Sequence, residues 1–415
     1  MITQEQYNIL QRSSRKLHIK LELLNKNDTV INVLHGYSLS GNINISGEST
    51  YRRNGSLSMY IKDNNLLPNP DSNIWFNRKV RIYTGLEEYD ETIIWFKQGE
   101  FLIQNADLKS SLSDKTMSID LSDKMAAIDG THGGTLSHEL EIVPEGITVS
   151  EAIRSSLNGL SKVSVDEIKI SDVDLLVPYE INMQPNSSVY ELVDTLRKLY
   201  MDIDFFVNLD GYYIVERIKN RHLDPVVWDF TQQNMNLIIT NSSKVNFTNV
   251  KNSIFIWGRK NKTGETIKWV YKNKYIRETV SERDIITNQE KGDICTITTT
   301  QQSYYWDEEW KELDFTVNPN YSIDCIGERT FAINDDKISL LEQAILRAEY
   351  ELKQKDNLAE TVDFTCVPIY GLNVNEKIKL HDNNIGIDGY YLTKSISIPL
   401  SHDGTMNVSA VKLYY

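Results

Sequence analysis

The sequence lacks the features that mark several large classes of protein. It has only three cysteines in 415 residues, Cys295, Cys325 and Cys366, with no C-x-x-C pair among them. This usage argues against a disulfide framework or a thiolate zinc site, and it predicts three unpaired thiols in a reducing compartment. No apolar run approaches the ~18 residues that a membrane-spanning helix needs, so membrane insertion is not expected.

Positive charge is also scarce. The chain has 44 Lys and Arg against 58 Asp and Glu, a formal net charge of −14. This balance repels phosphate and disfavours nucleic-acid recognition. Residues 1–16 contain no apolar core of a signal peptide, so we expect synthesis in a cytoplasm. The length fits about two to four domains.

Short alternations of polar and apolar residues dominate the first part of the chain, and such alternation is typical of half-buried strands. Asn54-Gly55 and the segment 67–71 supply turn signals between them. The predicted strands are 17–23, 55–61, 79–83, 92–104 and 116–121. We therefore predict that residues 1–130 form a first β-barrel-like domain.

Residues 131–244 are predicted to form a mixed α+β domain. Ser187 or Ser188 can cap a helix, and Asp210-Gly211 is a tight turn between two strands. The predicted elements are helices 149–157 and 189–200 and strands 203–207 and 212–216. The second helix and the two strands make a compact helix–hairpin unit.

Residues 245–415 are predicted to form a second β-barrel-like domain. Its longest element is a helix over 336–356, which Asp335 or Asp336 can cap. An insertion near 301–333 precedes it. Strands are expected at 253–258 and 294–300, and four short ones between 361 and 415. The predicted fold class is therefore α+β and β-rich, with two β-barrel-like domains, a mixed α/β middle and a long helix in the C-terminal region.

The sequence offers only weak candidates for a metal-binding or catalytic site. His132 and His138 could hold zinc, but they flank Gly133-Gly134 in a loop where ligand spacing carries no information. Asp202 and Asp204 share one face of a strand, as paired glycosidase carboxylates can, although they also suit a polar strand edge. We favour the structural interpretation for all four residues.

Two loops resemble ligand-binding motifs only in part. The segment 258–265 departs from the P-loop spacing and has Glu265 where lysine is required, so it is interpreted as a basic hairpin turn. The segment 382–389 has oxygen ligands but no EF-hand register, and a plain turn is favoured. The sequence predicts no catalytic, cofactor-binding or metal-binding residue, and no enzyme.

Aromatic residues are the one unusual enrichment, with 22 Tyr and 7 Trp. Tyr304, Tyr305, Trp306 and Trp310 are interleaved with acidic residues, which is unusual for a core segment. Aromatic side chains anchor protein interfaces. These four residues are predicted either to form an interface or to lie on a partly exposed strand.

The middle and the end of the chain resemble a known family, the central baseplate hub of long-tailed bacteriophages and phage-tail-like particles. The similarity covers roughly residues 119–260 and 335–415. The segments that carry it, in chain order, are Ile119-Asp120-Leu121-Ser122-Asp123-Lys124-Met125, Val177-Pro178-Tyr179-Glu180, Asp202-Ile203-Asp204-Phe205-Phe206-Val207, Val250-Lys251-Asn252-Ser253-Ile254-Phe255-Ile256-Trp257-Gly258, Arg347-Ala348-Glu349-Tyr350-Glu351-Leu352, Asp388-Gly389-Tyr390-Tyr391-Leu392 and Gly404-Thr405-Met406. The segment 372–378 departs from the family, where a Pro-Gly-Asp turn is common.

The resemblance implies a structural role. Hubs of this family are homotrimers, in which two related barrels per subunit form a pseudo-sixfold ring. That ring joins the sixfold tail tube to a threefold central spike or tip, and it opens as the tail channel. The implied partners are the tail tube or distal tail protein, the spike or tip protein, the tape measure protein and other baseplate proteins. The implied location is the tail baseplate of a virion, assembled in the host bacterial cytoplasm.

A second interpretation belongs to another class. Some hubs are fused to a peptidoglycan hydrolase, and Trp-rich β domains commonly bind sugars, so the alternative is a tail-associated cell-wall hydrolase or carbohydrate-binding protein. The resemblance extends almost to Tyr415, which leaves no room for a hydrolase at that end.

Overall fold

A computed structural model describes most of the chain. The described residues are 2–12, 15–76, 78–112, 114–136, 141–171, 175–218, 221–231, 237–261, 263–275, 301–304, 310–313 and 315–413. Within these ranges, no helix is both long enough and apolar enough to span a membrane. The predicted strand at 294–300 lies outside the described residues.

Strands are the commonest regular elements of the described structure. In chain order they are β1 (Leu17–Leu24), β2 (Val30–His35), β3 (Ser38–Ser46), β4 (Arg53–Tyr60), β5 (Lys79–Glu87), β6 (Ile93–Ser110), β7 (Lys115–Ser122), β8 (Glu141–Val143), β9 (Ile168–Ile170), β10 (Ile181–Met183), β11 (Ile203–Val207), β12 (Tyr213–Arg217), β13 (Trp228–Asp229), β14 (Ile238–Asn246), β15 (Ser253–Lys260), β16 (Thr266–Lys272), β17 (Lys274–Tyr275), β18 (Gln301–Tyr304), β19 (Trp310–Glu312), β20 (Thr330–Asn334), β21 (Ala359–Cys366), β22 (Lys377–Asp382), β23 (Ile387–Pro399) and β24 (Met406–Lys412).

Helices are fewer and mostly short. The α-helices are α1 (Gln4–Leu10), α2 (Val149–Ser155), α3 (Val189–Arg197), α4 (Ile323–Ile326) and α5 (Leu341–Lys355). A π-helical turn, Ser156–Leu160, continues α2. The 3₁₀ turns are Asn64–Leu66, Lys124–Ala127, Val165–Glu167, Arg221–Leu223 and Pro319–Tyr321. The prediction of a β-rich α+β fold is confirmed.

One large sheet joins the two ends of the chain. Its strand order is β14-β21-β24-β23-β3-β4-β7-β6-β5-β1-β2, with β22 and β13 branching from β23. The junction is the antiparallel pair β23–β3, in which Ile396 lies opposite Ile45. The path of described strands runs from one edge to the other without closing into a barrel. We call this sheet and its loops the sheet body.

The sheet body has one continuous hydrophobic core. Side chains from both ends of the chain contribute to it, including Ile43, Leu57 and Met59 from the first part and Ile398 and Val408 from the last. In each of these strands the alternate residues are buried. Burial at about 25 cal/mol per Å² makes such a shared core the main force that holds the two ends together.

The middle of the chain, residues 124–218, forms a separate α+β unit, which we call the middle unit. Its helix α3 begins with a capping box: Ser188 Oγ accepts a hydrogen bond from Glu191 N (3.1 Å), and Glu191 Oε2 accepts one from Ser188 N (2.9 Å). The hairpin β11–β12 follows, with Gly211 in its turn at φ +82°. This unit has its own core, formed by α2, α3 and the strands beside them.

The third unit consists of β15, β16 and β20 with α5 packed on one face. The long helix begins later than the sequence predicts. Its cap residue is Leu340, and Gln343 Oε1 accepts hydrogen bonds from the backbone N–H groups of Leu340 (3.1 Å) and Ser339 (2.9 Å). Asp335 instead accepts from Lys337 N (3.0 Å) in the preceding turn, so the predicted aspartate cap is wrong.

Cysteine pairing also differs from the prediction. Cys325 is disulfide-bonded, whereas Cys366 is a buried free thiol. Burial raises the pKa of Cys366 to about 12, so its thiol stays protonated and unreactive. The expectation of three unpaired thiols is therefore wrong, because cysteine spacing in the sequence does not show which thiols the fold brings together.

Candidate functional site

The aromatic residues predicted as an interface fall in an incompletely described segment. Tyr304 ends β18 and Trp310 begins β19, and the two are partners across this antiparallel pair. Tyr305 and Trp306 lie outside the described residues. The interface prediction for these four residues therefore stays a prediction.

The two candidate carboxylates are held by basic residues. Asp204 Oδ2 lies 2.7 Å from Arg52 Nη2, and Asp202 Oδ2 lies 3.5 Å from Arg217 Nε. A carboxylate that is paired with a guanidinium has a structural role that needs no substrate. The geometry supports the structural interpretation of both residues.

The histidine loop shows no ligand geometry where it is described. His132 is exposed, and its backbone N–H donates to the carbonyl of Ala126 at 3.0 Å. His138 lies outside the described residues. Across the described ranges, no group of three or more His, Cys, Asp or Glu side chains could hold a metal ion.

The two loops considered for phosphate and calcium binding are turns closed by their own side chains. In the segment 258–265, Asn261 Oδ1 accepts two backbone N–H bonds, at 3.0 and 2.9 Å. In the segment 382–389, Asp382 Oδ1 accepts one at 2.8 Å. Such turns satisfy the local backbone without a ligand.

One face of the sheet body forms an ordered polar surface. Across eight neighbouring strands, the residues that alternate with the core side chains are short and polar. We call this surface the polar face, and its residues are Asn42, Asn44, Ser46, Asn54, Ser56, Ser58, Asn105, Asp107, Ser118, Asp120, Thr240, Ser242, Asp363, Thr365, Ser395, Ser397, Asn407 and Ser409. A shallow groove of about 760 Å³ runs over its C-terminal half.

Hydrogen bonds link the polar face across the strands. Asn44 Nδ2 donates to Asn54 Oδ1 (3.2 Å), and Asn44 Oδ1 accepts from Asn42 Nδ2 (3.1 Å) and Ser397 Oγ (2.8 Å). Ser56 Oγ donates to Asn42 Oδ1 (2.9 Å). Because these amides satisfy one another, the face is ordered without a bound molecule.

The polar face carries charges of both signs. Asp107, Asp120 and Asp363 lie on it, and the alternation along β6 and β14 places Lys109 and Lys244 on the same side at its two outer strands. Because its acidic residues outnumber its basic ones, the face offers few counterions to a polyanion. The alternation of Asn, Ser and Thr was visible in the sequence, but it appeared as the solvent side of separate strands.

Two open strand edges bound the polar face. On one side is β14, which pairs with β21. On the other side is the second half of β6, residues 103–110. This half pairs with β7 on one edge, whereas the pairing of β6 with β5 on its other edge stops at Leu102. Among the described residues, no strand covers the outer edge of either segment. Val245 and Leu108, which point to the core side of these edges, are 41% and 50% exposed.

The segment 119–125, singled out by the sequence resemblance, lies where the sheet body meets the middle unit. Asp123 caps the 3₁₀ turn there and accepts hydrogen bonds from Met125 N (3.0 Å) and Arg53 N (2.9 Å). Burial raises the pKa of Asp123 to about 6, partly offset by these N–H donors. This aspartate therefore fixes the direction in which the chain leaves the sheet body.

Among known proteins, the chain has matches only in the comparison with solved structures. No protein-family model matches the chain, and no curated protein matches it.

Three solved structures are similar over nearly the whole chain. The tail protein from Neisseria meningitidis MC58 superposes with a TM-score of 0.58 at 12% identity, covering 95% of this chain and 96% of that one. The 43 kDa tail protein of prophage MuSo2 from Shewanella oneidensis gives 0.55 at 13% identity, with coverages of 95% and 98%. The prophage tail protein gp18 from Listeria monocytogenes EGD-e gives 0.51 at 10% identity, with coverages of 95% and 94%. The chain therefore has the fold of phage tail proteins, as the resemblance in its sequence predicts.

Proposed function

We propose that the protein is a structural baseplate hub of a phage or phage-like tail, and that three copies form a ring around the tail channel. The observation that carries this proposal is a polar face bounded by two open strand edges on one sheet. The fold shared with phage tail proteins supports it.

The directions of the strands suit head-to-tail assembly. The eight strands from β14 to β6 are antiparallel neighbours throughout. Because their number is even, β14 and β6 run in opposite directions. A second copy can therefore place its β14 beside the free half of β6 and continue the antiparallel sheet. Such a heterologous contact closes into a ring when the rotation between copies is right.

The side chains at the two edges also match. On the channel side, Lys244 of one copy would approach Asp107 of the next, and short polar residues would continue the polar face. On the core side, the exposed Val245 and Leu108 would be covered. Both edges expose backbone groups that are a liability on a monomer and a binding site in an assembly.

In the closed ring, the polar face would line the channel, and its N-terminal and C-terminal halves in each of the three subunits would give the pseudo-sixfold shape. The ring would then join the tail tube or distal tail protein to the spike or tip protein, beside the tape measure protein and other baseplate proteins. The proposed location is the tail baseplate, after assembly in the host bacterial cytoplasm. No step of this role requires catalysis.

The mass of the purified chain in solution tests the proposal. One chain has a mass of 47.9 kDa, so three copies would give about 144 kDa by light scattering. The variant Leu108→Glu with Val245→Glu places charge at both edges, and we expect it to run as a folded monomer. Leu223→Glu is the matched control, because Leu223 is 92% exposed and belongs to neither β6 nor β14. A monomeric unmodified chain would contradict self-assembly, and a trimeric double variant would contradict these edges.

A further inference from the structure

The sheet body and the middle unit are separate hydrophobic bodies. The core of the middle unit is formed by residues between Met125 and Val215, and none of them belongs to the core of the sheet body. Tyr51 is the sheet-body side chain that packs against the core of the middle unit. The contact between the two bodies therefore depends on polar groups.

Ion pairs supply two of these contacts. Arg52 Nη2 lies 2.7 Å from Asp204 Oδ2, and its guanidinium covers the ring of Phe206 at 4.2 Å from the centroid. Lys97 Nζ lies 2.8 Å from Asp210 Oδ1. In both pairs the cation belongs to the sheet body and the carboxylate to the hairpin β11–β12.

Lys124 makes the third contact, at the connection between the bodies. Its Nζ lies 3.2 Å from Glu100 Oε1 and 3.5 Å from Asp28 Oδ2 on the sheet body, and 3.3 Å from Glu167 Oε1 on the middle unit. Burial alone would lower the pKa of Lys124, but the surrounding carboxylates raise it above its usual value. The lysine therefore stays charged and keeps a carboxylate on each side.

Contacts of this kind separate more easily than an apolar interface. Each ion regains its hydration when the bodies part, which offsets most of the Coulomb energy that is lost. Salt screens the more exposed pair of Lys97 with Asp210 most strongly and the more buried pairs of Arg52 and Lys124 less, since the Debye length falls from ~10 Å at 0.1 M to ~3 Å at 1 M. The middle unit is also held by α5, where Leu346 packs on its core and Gln343 Nε2 donates to Leu199 O at 3.1 Å.

We infer that the middle unit is a hinged body, which swings away from the sheet body when the ion pairs at Arg52, Lys97 and Lys124 are broken. The contact with α5 is the pivot, and ionic strength sets the balance between closed and open forms. This motion belongs to the single chain and does not depend on the proposed ring.

Distances between spin labels test the motion. One label replaces Arg154 on α2 and the other replaces Asn383 on the sheet body, both exposed positions, and labelled chains are diluted with unlabelled chains to isolate distances within one subunit. Between 0.05 and 1 M NaCl we expect a second, longer distance, with the ratio of open to closed forms rising about tenfold. Asp204→Asn with Asp210→Asn should produce the longer distance at low salt.

Two controls make the result decisive. Glu349→Gln removes the exposed pair with Lys353 on α5 and should leave the distances unchanged. A label pair inside the middle unit, at Arg154 and Lys198, should also stay unchanged, because the unit moves as one body. One unaltered distance in salt and in the double variant would overturn the inference. A change in the internal pair would overturn it too, because it would mean unfolding and not hinging.

Discussion

At the scale of single residues, the buried carboxyl group of Asp356 is the clearest case in which burial changes a pKa. Asp356 ends α5 and is 1% exposed. Its two hydrogen bonds come from neutral donors, Asn273 Nδ2 (2.7 Å) and Asn318 N (2.6 Å). Burial raises the pKa of Asp356 to about 7, and the two donors lower it only in part.

The raised pKa of Asp356 predicts a pH dependence with a definite sign. Between pH 4 and 7 the unfolded chain loses this proton while the folded chain keeps it, so the free energy of unfolding falls as pH rises, by up to about 4 kcal/mol. Asp356→Asn removes the titration. We therefore expect the stability of the wild type relative to this variant to decrease from pH 4 to 7 in urea unfolding. A difference that stays constant with pH would contradict the assignment, and Asp363→Asn, on the exposed polar face, is the matched control.

At the scale of elements, local sequence signals predicted which helices and strands exist better than they predicted where each one begins and ends. The strand at Ile203–Val207 has the predicted bounds, and α3 begins at the predicted Val189. The long helix begins at Leu341, five residues after the predicted start, because Gln343 supplies the cap from inside the helix. β6 extends to Ser110, past the predicted end at residue 104, since pairing with β7 continues beyond its apolar segment.

The capping box of α3 gives a prediction at this scale. Ser188→Ala removes the hydrogen bond to Glu191 N and should cost about 1 kcal/mol of unfolding free energy. Ser187→Ala is the matched control, because the sequence allowed either serine as the cap and the structure uses Ser188. Equal losses in the two variants, measured by urea denaturation, would contradict the assignment of the cap.

At the scale of the whole molecule, the remaining predicted interface is the segment with Trp306 and Trp310. We expect Trp306→Ala with Trp310→Ala to reduce assembly while the far-ultraviolet circular dichroism stays unchanged, because aromatic side chains at an interface contribute to binding more than to folding. Loss of the folded spectrum would mean instead that these side chains belong to a core. Tyr89→Ala, at a residue that is 92% exposed in another loop, is the matched control.

The candidate surface also belongs to this scale, and only part of it could be predicted. Asn42, Asn44 and Ser46 alternate with isoleucines, and Ser395 and Ser397 do the same near the other end of the chain. Each run predicts a strand with one polar side. That the two runs form one surface depends on the β23–β3 pair, which joins residues some 350 positions apart. No local pattern specifies a partner at that distance.

The β-rich α+β class, the helix–hairpin unit, the acidic balance and the resemblance to tail hubs could all be recognised from the amino-acid sequence. Strand period, caps and turn residues act over a few neighbours, so their signals are readable in the chain. Only the fold shows that both ends share one sheet and one core, that two open edges bound a polar face, and that ion pairs join the middle unit to the sheet body. These features depend on pairing between segments that are far apart in the sequence. The energy of that pairing comes from burial, which local sequence patterns do not specify.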